Sequence, residues 1–167
     1  FAYNEFTGKI IKKFKYSDAT YNSKKLANLL FSKANMFNEN FDIITSVPLT
    51  NKRLRSRKYN QSAILAQELA RKLNKKCNNL LLKKTKETKV QAGLSKKDRQ
   101  KNLKNAFKVN PRYKEQLTAK NILIIDDVYT TGSTLNECAR TLKREGFTGK
   151  IYGLVLARVF RDAHPYI

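Results

Sequence analysis

Residues 122–134, with the sequence ILIIDDVYTTGST, restrict the possible folds of this chain more than any other segment. The uninterrupted apolar run at 122–125 is typical of a strand that is buried on both faces of a parallel sheet. Two adjacent carboxylates, Asp126 and Asp127, close this predicted strand. A hydroxyl-rich loop with one glycine follows, and an amphipathic helix begins near Ser133. This order of features predicts an α/β fold.

The loop after the predicted strand has the properties of a phosphate receptor. In an open α/β sheet, ligands bind beyond the carboxyl ends of the strands, where a helix N-terminus offers unpaired N–H groups. Asp126 and Asp127 would repel a phosphate, so they are better suited to sugar hydroxyls, with a divalent cation screening their charges. The predicted ligand is a sugar phosphate. The alternative is a buried strand that ends in a solvated turn, with Ser133 or Thr134 capping the next helix.

The length and composition of the chain limit the kinds of protein that it can be. The 167 residues suit one compact domain covering 1–167, and no apolar run approaches the ~20 residues of a membrane span. The two cysteines, Cys77 and Cys138, lack metal-ligand spacing and suit a reduced, cytoplasmic protein, with Cys138 as a small core residue. The chain begins with Phe1, so we expect that upstream sequence is missing.

The charge of the chain is strongly positive. Thirty-five Lys and Arg stand against 13 Asp and Glu, giving a formal net charge of +22. Such an excess favours polyanions such as nucleic acid, although lysine that merely fills solvated positions would give the same composition. Aromatic residues lie among the cations, where they could stack on bases, while Phe14 or Tyr16 could instead pack in the core. The predicted contacts to DNA are Lys12, Lys13, Lys15, Lys58 and Tyr59.

Periodicity predicts alternating strands and helices, and therefore a mainly parallel, twisted sheet with helices on both faces. The predicted strands lie at 6–16 (an edge strand), 41–47, 80–82, 107–109, 121–126 and 151–156. Helices are predicted at 21–37, 60–73, 133–144 and in the part of 83–102 that follows Ser95. A polar, basic loop is predicted at 49–59.

Two further segments are predicted to serve the same site. Val47, Pro48, Leu49 and Thr50 end one strand, and residues 52–58 place five cations near that end. Arg55 and Arg57 would share one side of an extended loop and could hold a diphosphate. The long polar segment at 83–102 is typical of a lid, with Gln91 and Arg99 as its candidate ligand contacts. The alternative for residues 52–58 is a solvated basic loop, and the alternative for the polar segment at 83–102 is a surface helix.

The motifs taken in order resemble the ComF family. They are Val-Pro-Leu, Arg-x-Arg-x-Tyr-Asn-Gln, Gln-x-x-Leu-x-x-x-x-Arg-x-x-Asn-Leu-x-x-Ala-Phe and Asp-Asp-Val-x-Thr-Thr-Gly-x-Thr, and the resemblance covers about residues 41–158. This family consists of phosphoribosyltransferase-like proteins linked to natural transformation, with the type I phosphoribosyltransferase fold. Many members carry an N-terminal four-cysteine zinc module, which this sequence lacks, and Zn²⁺ is expected only there. The family commonly has glycine where Lys58 stands.

The resemblance implies a ligand and roles for the residues. The ligand would be 5-phosphoribosyl-1-diphosphate (PRPP), with Asp126 and Asp127 as catalytic residues on the ribose hydroxyls. The 47–50 loop would contact diphosphate, and Mg²⁺ would bridge ligand oxygens, with the two aspartates as its available protein ligands. The 5-phosphate would be held by Thr130, Thr131, Gly132, Ser133 and Thr134.

Three functions remain compatible with these features. One is a PRPP-binding protein that handles incoming single-stranded DNA in the cytoplasm, together with other proteins of DNA uptake. Another is a salvage or biosynthetic phosphoribosyltransferase that acts on a small molecule. The third is a regulator that senses PRPP and binds nucleic acid without turnover.

Overall fold

The computed structural model of the chain describes residues 1–16, 22–37, 39–88, 96–118 and 121–160. Helices alternate with strands through most of these ranges. The helices are α1 (Glu5–Tyr16), α2 (Ser23–Ala34), α3 (Asn51–Arg57), α4 (Gln61–Leu73), α5 (Lys96–Leu103) and α6 (Ser133–Arg144). The strands are β1 (Ile43–Ser46), β2 (Lys76–Cys77), β3 (Leu82–Lys84), β4 (Phe107–Val109), β5 (Asn121–Tyr129) and β6 (Lys150–Arg158).

Four parallel strands form the central sheet, in the order β2-β1-β5-β6. Ile43 of β1 pairs with Ile122 of β5, and Ile125 of β5 pairs with Leu154 of β6. Strands β3 and β4 form a separate antiparallel pair. Because β1 and β5 are parallel neighbours, the 47–50 loop and the acid pair emerge at the same edge of the sheet.

Hydrophobic cores cover both faces of the sheet, as predicted. Successive residues of β5 point to opposite faces, so Ile122 and Ile124 enter one core while Leu123 and Ile125 enter the other. The first core also contains residues of β4, α5 and α6, namely Phe107, Leu103, Cys138 and Leu142. The second contains residues of α1, α2 and α4, namely Phe14, Leu30, Leu65 and Leu69. The position of Cys138, with none of its surface exposed, confirms its prediction as a core residue.

The prediction of an edge strand at 6–16 is wrong, because this segment is helix α1. Its start is closed by reciprocal bonds, in which the N–H of Thr7 donates to Asn4 Oδ1 and the N–H of Asn4 donates to Thr7 Oγ1. This arrangement resembles a capping box and was a helix signal in the sequence. Ile11 and Phe14 lie three residues apart on one side of the helix and are both buried. Two residues that are three apart share one face of a helix, whereas in a strand they would point to opposite faces.

Two further boundaries differ from the prediction. The basic segment at 49–59 is not all loop, since α3 occupies most of it, with Thr50 Oγ1 accepting from the N–H of Arg53 at the N-cap. Strand β5 continues to Tyr129 instead of ending at Asp126, because β6 pairs with it as far as Arg158. The acid pair therefore lies within a strand whose partner holds it in place. None of the helices in the described ranges has the length and apolarity required to cross a membrane.

Candidate functional site

The two aspartates of β5 lie at the edge of the sheet where β1 ends. Asp126 Oδ1 accepts a hydrogen bond from Ser62 Oγ of α4 at 3.1 Å and another from the N–H of Asp127 at 2.9 Å. The carboxyl group of Asp126 is packed among protein atoms, although part of the residue reaches solvent. This burial, together with the negative charge of Asp127, raises the pKa of Asp126 to about 7. The pair is therefore poised to lose a proton when a cation approaches.

Asp127 has a cationic partner that the sequence did not reveal. Lys15, the penultimate residue of α1, places its Nζ 2.7 Å from Asp127 Oδ2, and both side chains are mostly buried. Lys15 was predicted as a contact to DNA, but the structure brings it to the acid pair. Because α1 was predicted as an edge strand, nothing in the sequence placed its end against β5. Lys15 therefore supplies a fixed positive charge beside Asp127.

The loop after β5 has the geometry of an anion receptor. Gly132 adopts φ +74° at the N-cap of α6, and a Cβ atom there would lie 2.5 Å from the Tyr129 hydroxyl, so only glycine fits. The N-cap of α6 is Gly132, so neither Ser133 nor Thr134 is the N-cap that the alternative reading required, and Thr131 Oγ1 accepts from the N–H of Ser133 at 3.4 Å. The hydroxyls of Thr131 and Ser133 lie 2.8 Å apart. First-turn N–H groups and hydroxyls at the positive end of α6 can together receive a phosphate.

The 47–50 loop faces the same crevice, but parts of it are already bonded. The N–H of Val47 donates to the carbonyl of Ile125, and the carbonyl of Val47 accepts from Asn60 Nδ2. Thr50 is buried and caps α3. A diphosphate would therefore meet the N–H groups at the start of α3 and nearby cations, not the backbone of Val47.

The two arginines predicted to act together point in different directions. Residues two apart on a helix project from nearly opposite sides, so Arg55 and Arg57 do not share a face as they would in an extended loop. Arg55 is exposed, whereas Arg53 and Arg57 are partly buried and lie four residues apart on one face. Arg57 Nη1 donates to Gln61 Oε1 at 3.4 Å. Arg53 is thus the cation of α3 that faces the crevice.

Lys84 of β3 is a further crevice residue that sequence reasoning missed. Its Nζ donates to Thr88 Oγ1 at 2.9 Å and lies 5.5 Å from the ring centroid of Phe107. Burial, together with the positive charge of Arg53, lowers the pKa of Lys84 to about 8, while the charge of Asp126 acts in the opposite direction. Lys84, Arg53 and Asp126 are therefore near one another. No sequence signal separated this lysine from the many others.

The Tyr-Asn-Gln segment joins α1 to the crevice. Tyr59 Oη donates to the carbonyl of Phe14 at 2.8 Å, and Gln61 Nε2 donates to the carbonyl of Lys15 at 3.1 Å. These carbonyls lie in the last turn of α1, which leaves them without helical partners. Asn60 caps α4 through its Oδ1 and also bonds to Val47. The motif thus holds α1, α4 and the 47–50 loop in one arrangement, which keeps Lys15 at the acid pair.

A family model described as "Phosphoribosyl transferase domain" matches residues 60–159, which include β5, the 130–134 loop and α6. Competence protein F of Haemophilus influenzae is 36% identical over 154 residues, covering 89% of this chain and 67% of that protein. This chain belongs to the ComF family of phosphoribosyltransferase-domain proteins.

Other relatives agree with this assignment of the ComF family. DNA utilization protein YhgH of Escherichia coli is 41% identical over 105 residues, which are 63% of this chain and 44% of that protein. Competence protein ComFC of Bacillus subtilis is 26% identical over 162 residues, covering 95% of this chain and 62% of its own length. The chain thus spans between about half and two thirds of these relatives. A solved hypoxanthine phosphoribosyltransferase from Staphylococcus aureus aligns over 84% of this chain and 74% of its own, with 12% identity and a TM-score of 0.41.

The position where the ComF family commonly has glycine is explained by the backbone. Lys58 is the C-cap of α3 and adopts φ +63° and ψ −26°, in the left-handed region. Glycine adopts this conformation without steric cost, and helices often end in this way. The loop geometry therefore survives the departure from the family pattern, although a side chain here is strained.

The remaining predicted residues lie in several places. Lys12, Lys13 and Lys58 are exposed, as a contact to DNA requires, and Tyr59 is partly buried at the end of α1. Phe14 is fully within the core and cannot stack on a base. Of the predicted lid residues, Gln91 lies outside the described residues, and Arg99 is in α5, as expected from the helical prediction after Ser95.

The crevice residues fit Mg²⁺ that is bound mainly through a ligand. No group of three or more metal-binding side chains occurs in the part of the chain that the structure describes. Asp126 and Asp127 offer hard carboxylate oxygens, and Mg²⁺ often uses only one or two protein carboxylates together with phosphate oxygens and water. The donor set therefore suits a metal that arrives with its phosphorylated ligand.

Proposed function

We propose that this protein binds PRPP together with Mg²⁺ and handles incoming single-stranded DNA in the cytoplasm during natural transformation. The observation that carries the PRPP part is the acid pair of β5 beside the N-terminus of α6, where Gly132 makes the turn. The names of the relatives, competence protein F and DNA utilization protein YhgH, support the link to DNA uptake. The net charge of +22 supports binding of a polyanion.

Each part of PRPP would meet a different part of the crevice. The 5-phosphate would occupy the 130–134 loop, and Asp126 and Asp127 would accept hydrogen bonds from the ribose hydroxyls. The diphosphate would lie near Arg53, Lys84 and the start of α3, where cations can balance its charge. If turnover occurs, Mg²⁺ and these cations would stabilise the departing diphosphate while the acid pair faces the positive charge that develops at the sugar.

The PRPP proposal is tested by replacing both aspartates. Asp126→Ala with Asp127→Ala should weaken Mg²⁺-dependent PRPP binding at least tenfold, because hydrogen bonds to a charged group are worth about 1.5–3 kcal/mol each. Isothermal titration calorimetry measures the affinity, and circular dichroism checks that the fold persists. Glu5→Ala, which removes an exposed carboxylate of α1, is the control. Unchanged affinity in a folded double variant would falsify the assignment.

A second measurement separates the three compatible functions. Titrating PRPP with and without single-stranded DNA tests both ligands and their coupling in one experiment. Binding of both ligands without diphosphate release, across a panel of acceptors, would indicate a binding protein or regulator. Diphosphate release with a small acceptor and no DNA binding would indicate a small-molecule transferase and contradict the DNA proposal.

A further inference from the structure

An exposed column of alternating rings and charge stands beside the 130–134 loop. The guanidinium carbon of Arg158 lies 5.1 Å from the ring centroid of Tyr129 and 5.4 Å from that of Phe160. The guanidinium therefore contacts two aromatic rings. Phe160 is 60% exposed although it is large and apolar. Tyr129 is also the residue that packs over Gly132, so the column starts at the predicted phosphate loop.

Backbone pairing on both sides fixes the position of this column. Tyr129 and Arg158 are register partners in the β5–β6 pair, and the N–H of Val159 donates to the carbonyl of Tyr129 at 2.8 Å. On the other side, Arg158 exchanges two hydrogen bonds with the first residues of the chain. Its N–H donates to the carbonyl of Phe1, and its carbonyl accepts from the N–H of Tyr3. The column is therefore held by main-chain contacts before any ligand binds.

No side chain in the part of the chain that the structure describes occupies the N–H groups of the Arg158 guanidinium. Among the described residues, no carboxylate forms an ion pair with Arg158, and no hydrogen bond of its side chain occurs. The contacts of the guanidinium with the two rings are cation–π contacts and not hydrogen bonds. Its N–H groups can therefore still donate to an oxygen acceptor. An exposed ring next to unpaired donors is the combination with which proteins bind unpaired nucleotides, by stacking the base and holding the phosphate.

We propose that Tyr129, Arg158 and Phe160 form a stacking site for an unpaired base of single-stranded DNA. One base stacks on the exposed ring of Phe160, and the guanidinium of Arg158 donates to a neighbouring phosphate. Every base has a π-face, so this contact carries little sequence preference. The inference rests on the DNA part of the proposed function and is independent of PRPP binding.

The test compares an oligothymidylate with an abasic oligonucleotide of the same length, using fluorescence anisotropy on the whole chain. Phe160→Leu keeps an apolar side chain but removes the ring. It should weaken binding to the oligothymidylate roughly fivefold to tenfold and leave binding to the abasic strand unchanged. Phe6→Leu is the matched control, because Phe6 is a similarly exposed aromatic residue on α1. Arg158→Lys keeps the charge and should weaken both strands, since lysine lacks the planar fork.

Several outcomes would overturn this assignment. One is that Phe160→Leu weakens binding to both oligonucleotides equally, and another is that it weakens neither. A third is that Phe6→Leu weakens binding to the oligothymidylate as much as Phe160→Leu does. A Phe160-dependent affinity for thymidine without any for the oligonucleotide would make the column a small-molecule site instead. PRPP titrations of the unaltered protein and of the same variants keep the two proposals distinct. If the unaltered protein does not bind PRPP, only the PRPP proposal is contradicted. Thermal melting verifies that each variant is folded.

Discussion

At the scale of single residues, the chemistry of the crevice depends on the different surroundings of the two adjacent aspartates. Asp126 is enclosed and bonded to Ser62, while Asp127 faces Lys15 of α1. Both are carboxylates with the same intrinsic acidity. Burial raises the pKa of Asp126, so this carboxyl holds a proton at higher pH than an ordinary aspartate, while Asp127 is matched by a fixed cation.

The raised pKa of Asp126 predicts a pH-dependent cost to folding. The unfolded carboxyl ionises near pH 3.8, whereas the folded one holds its proton to about pH 7. Between these values the folded state binds more protons than the unfolded state, so the free energy of unfolding falls as pH rises through this window. Asp126→Asn removes the cost and keeps an oxygen for Ser62. Its gain in stability should grow from near zero at about pH 4 to roughly 4 kcal/mol at about pH 8.

Thermal melts at several pH values measure this difference. Glu5→Gln changes the net charge equally at an exposed position and serves as the control. A gain for Asp126→Asn that is independent of pH would mean that the carboxyl ionises normally in the folded protein.

At the scale of elements, the orientation of α3 decides which of its cations face the crevice. Arg53 lies on the partly buried side of this helix and lowers the pKa of Lys84. Arg53→Ala should therefore weaken binding of Mg²⁺–diphosphate about tenfold, as expected for a lost charge-assisted contact of more than 1 kcal/mol. Arg55→Ala, on the exposed side, should change it less than about twofold. Calorimetric titration compares the two, and equal losses would indicate a general effect of charge.

The end of the same helix predicts a stabilising substitution. Lys58 is held at φ +63°, which costs a residue with a Cβ atom about 1–2 kcal/mol relative to glycine. Lys58→Gly should raise the midpoint of thermal unfolding by a few degrees, although glycine also gains entropy in the unfolded chain. Lys58→Ala removes the same charge but keeps the strain, and should not raise it. If both variants are stabilised equally, charge repulsion is the cause instead.

At the scale of the whole molecule, the net charge of +22 predicts how DNA binding responds to salt. Each phosphate neutralised on a single strand contributes about −0.7 to the slope of log affinity against log salt concentration. Four or five contacts would therefore give a slope near −3, with little dependence on sequence at equal length. Anisotropy titrations over a salt series measure this slope. A flat response, or no binding at ~150 mM salt, would favour a small-molecule role.

The sequence determined the central part of this protein. An apolar run followed by two acids and a glycine loop fits a buried strand that leads into a helix, so β5, α6 and the loop between them were predictable. The parallel sheet with helices on both faces followed from the alternation of strand-like and helix-like hydrophobic patterns along the sequence. Cys138 was predictable as a core residue for the same reason, because it lies on the apolar stripe of α6.

Only the tertiary structure decided which distant residues complete the crevice. The sequence shows neither that Lys15 meets Asp127 nor that Lys84 lies near Asp126, because such contacts depend on how α1 and β3 pack against the sheet. It also left α1 as a strand, since the bonds between Asn4 and Thr7 and the burial of Phe14 outweigh a weak local preference. The column at Arg158 likewise needs β5, β6 and the first residues of the chain side by side. Local patterns specify elements, whereas long-range packing specifies the partners of their charges.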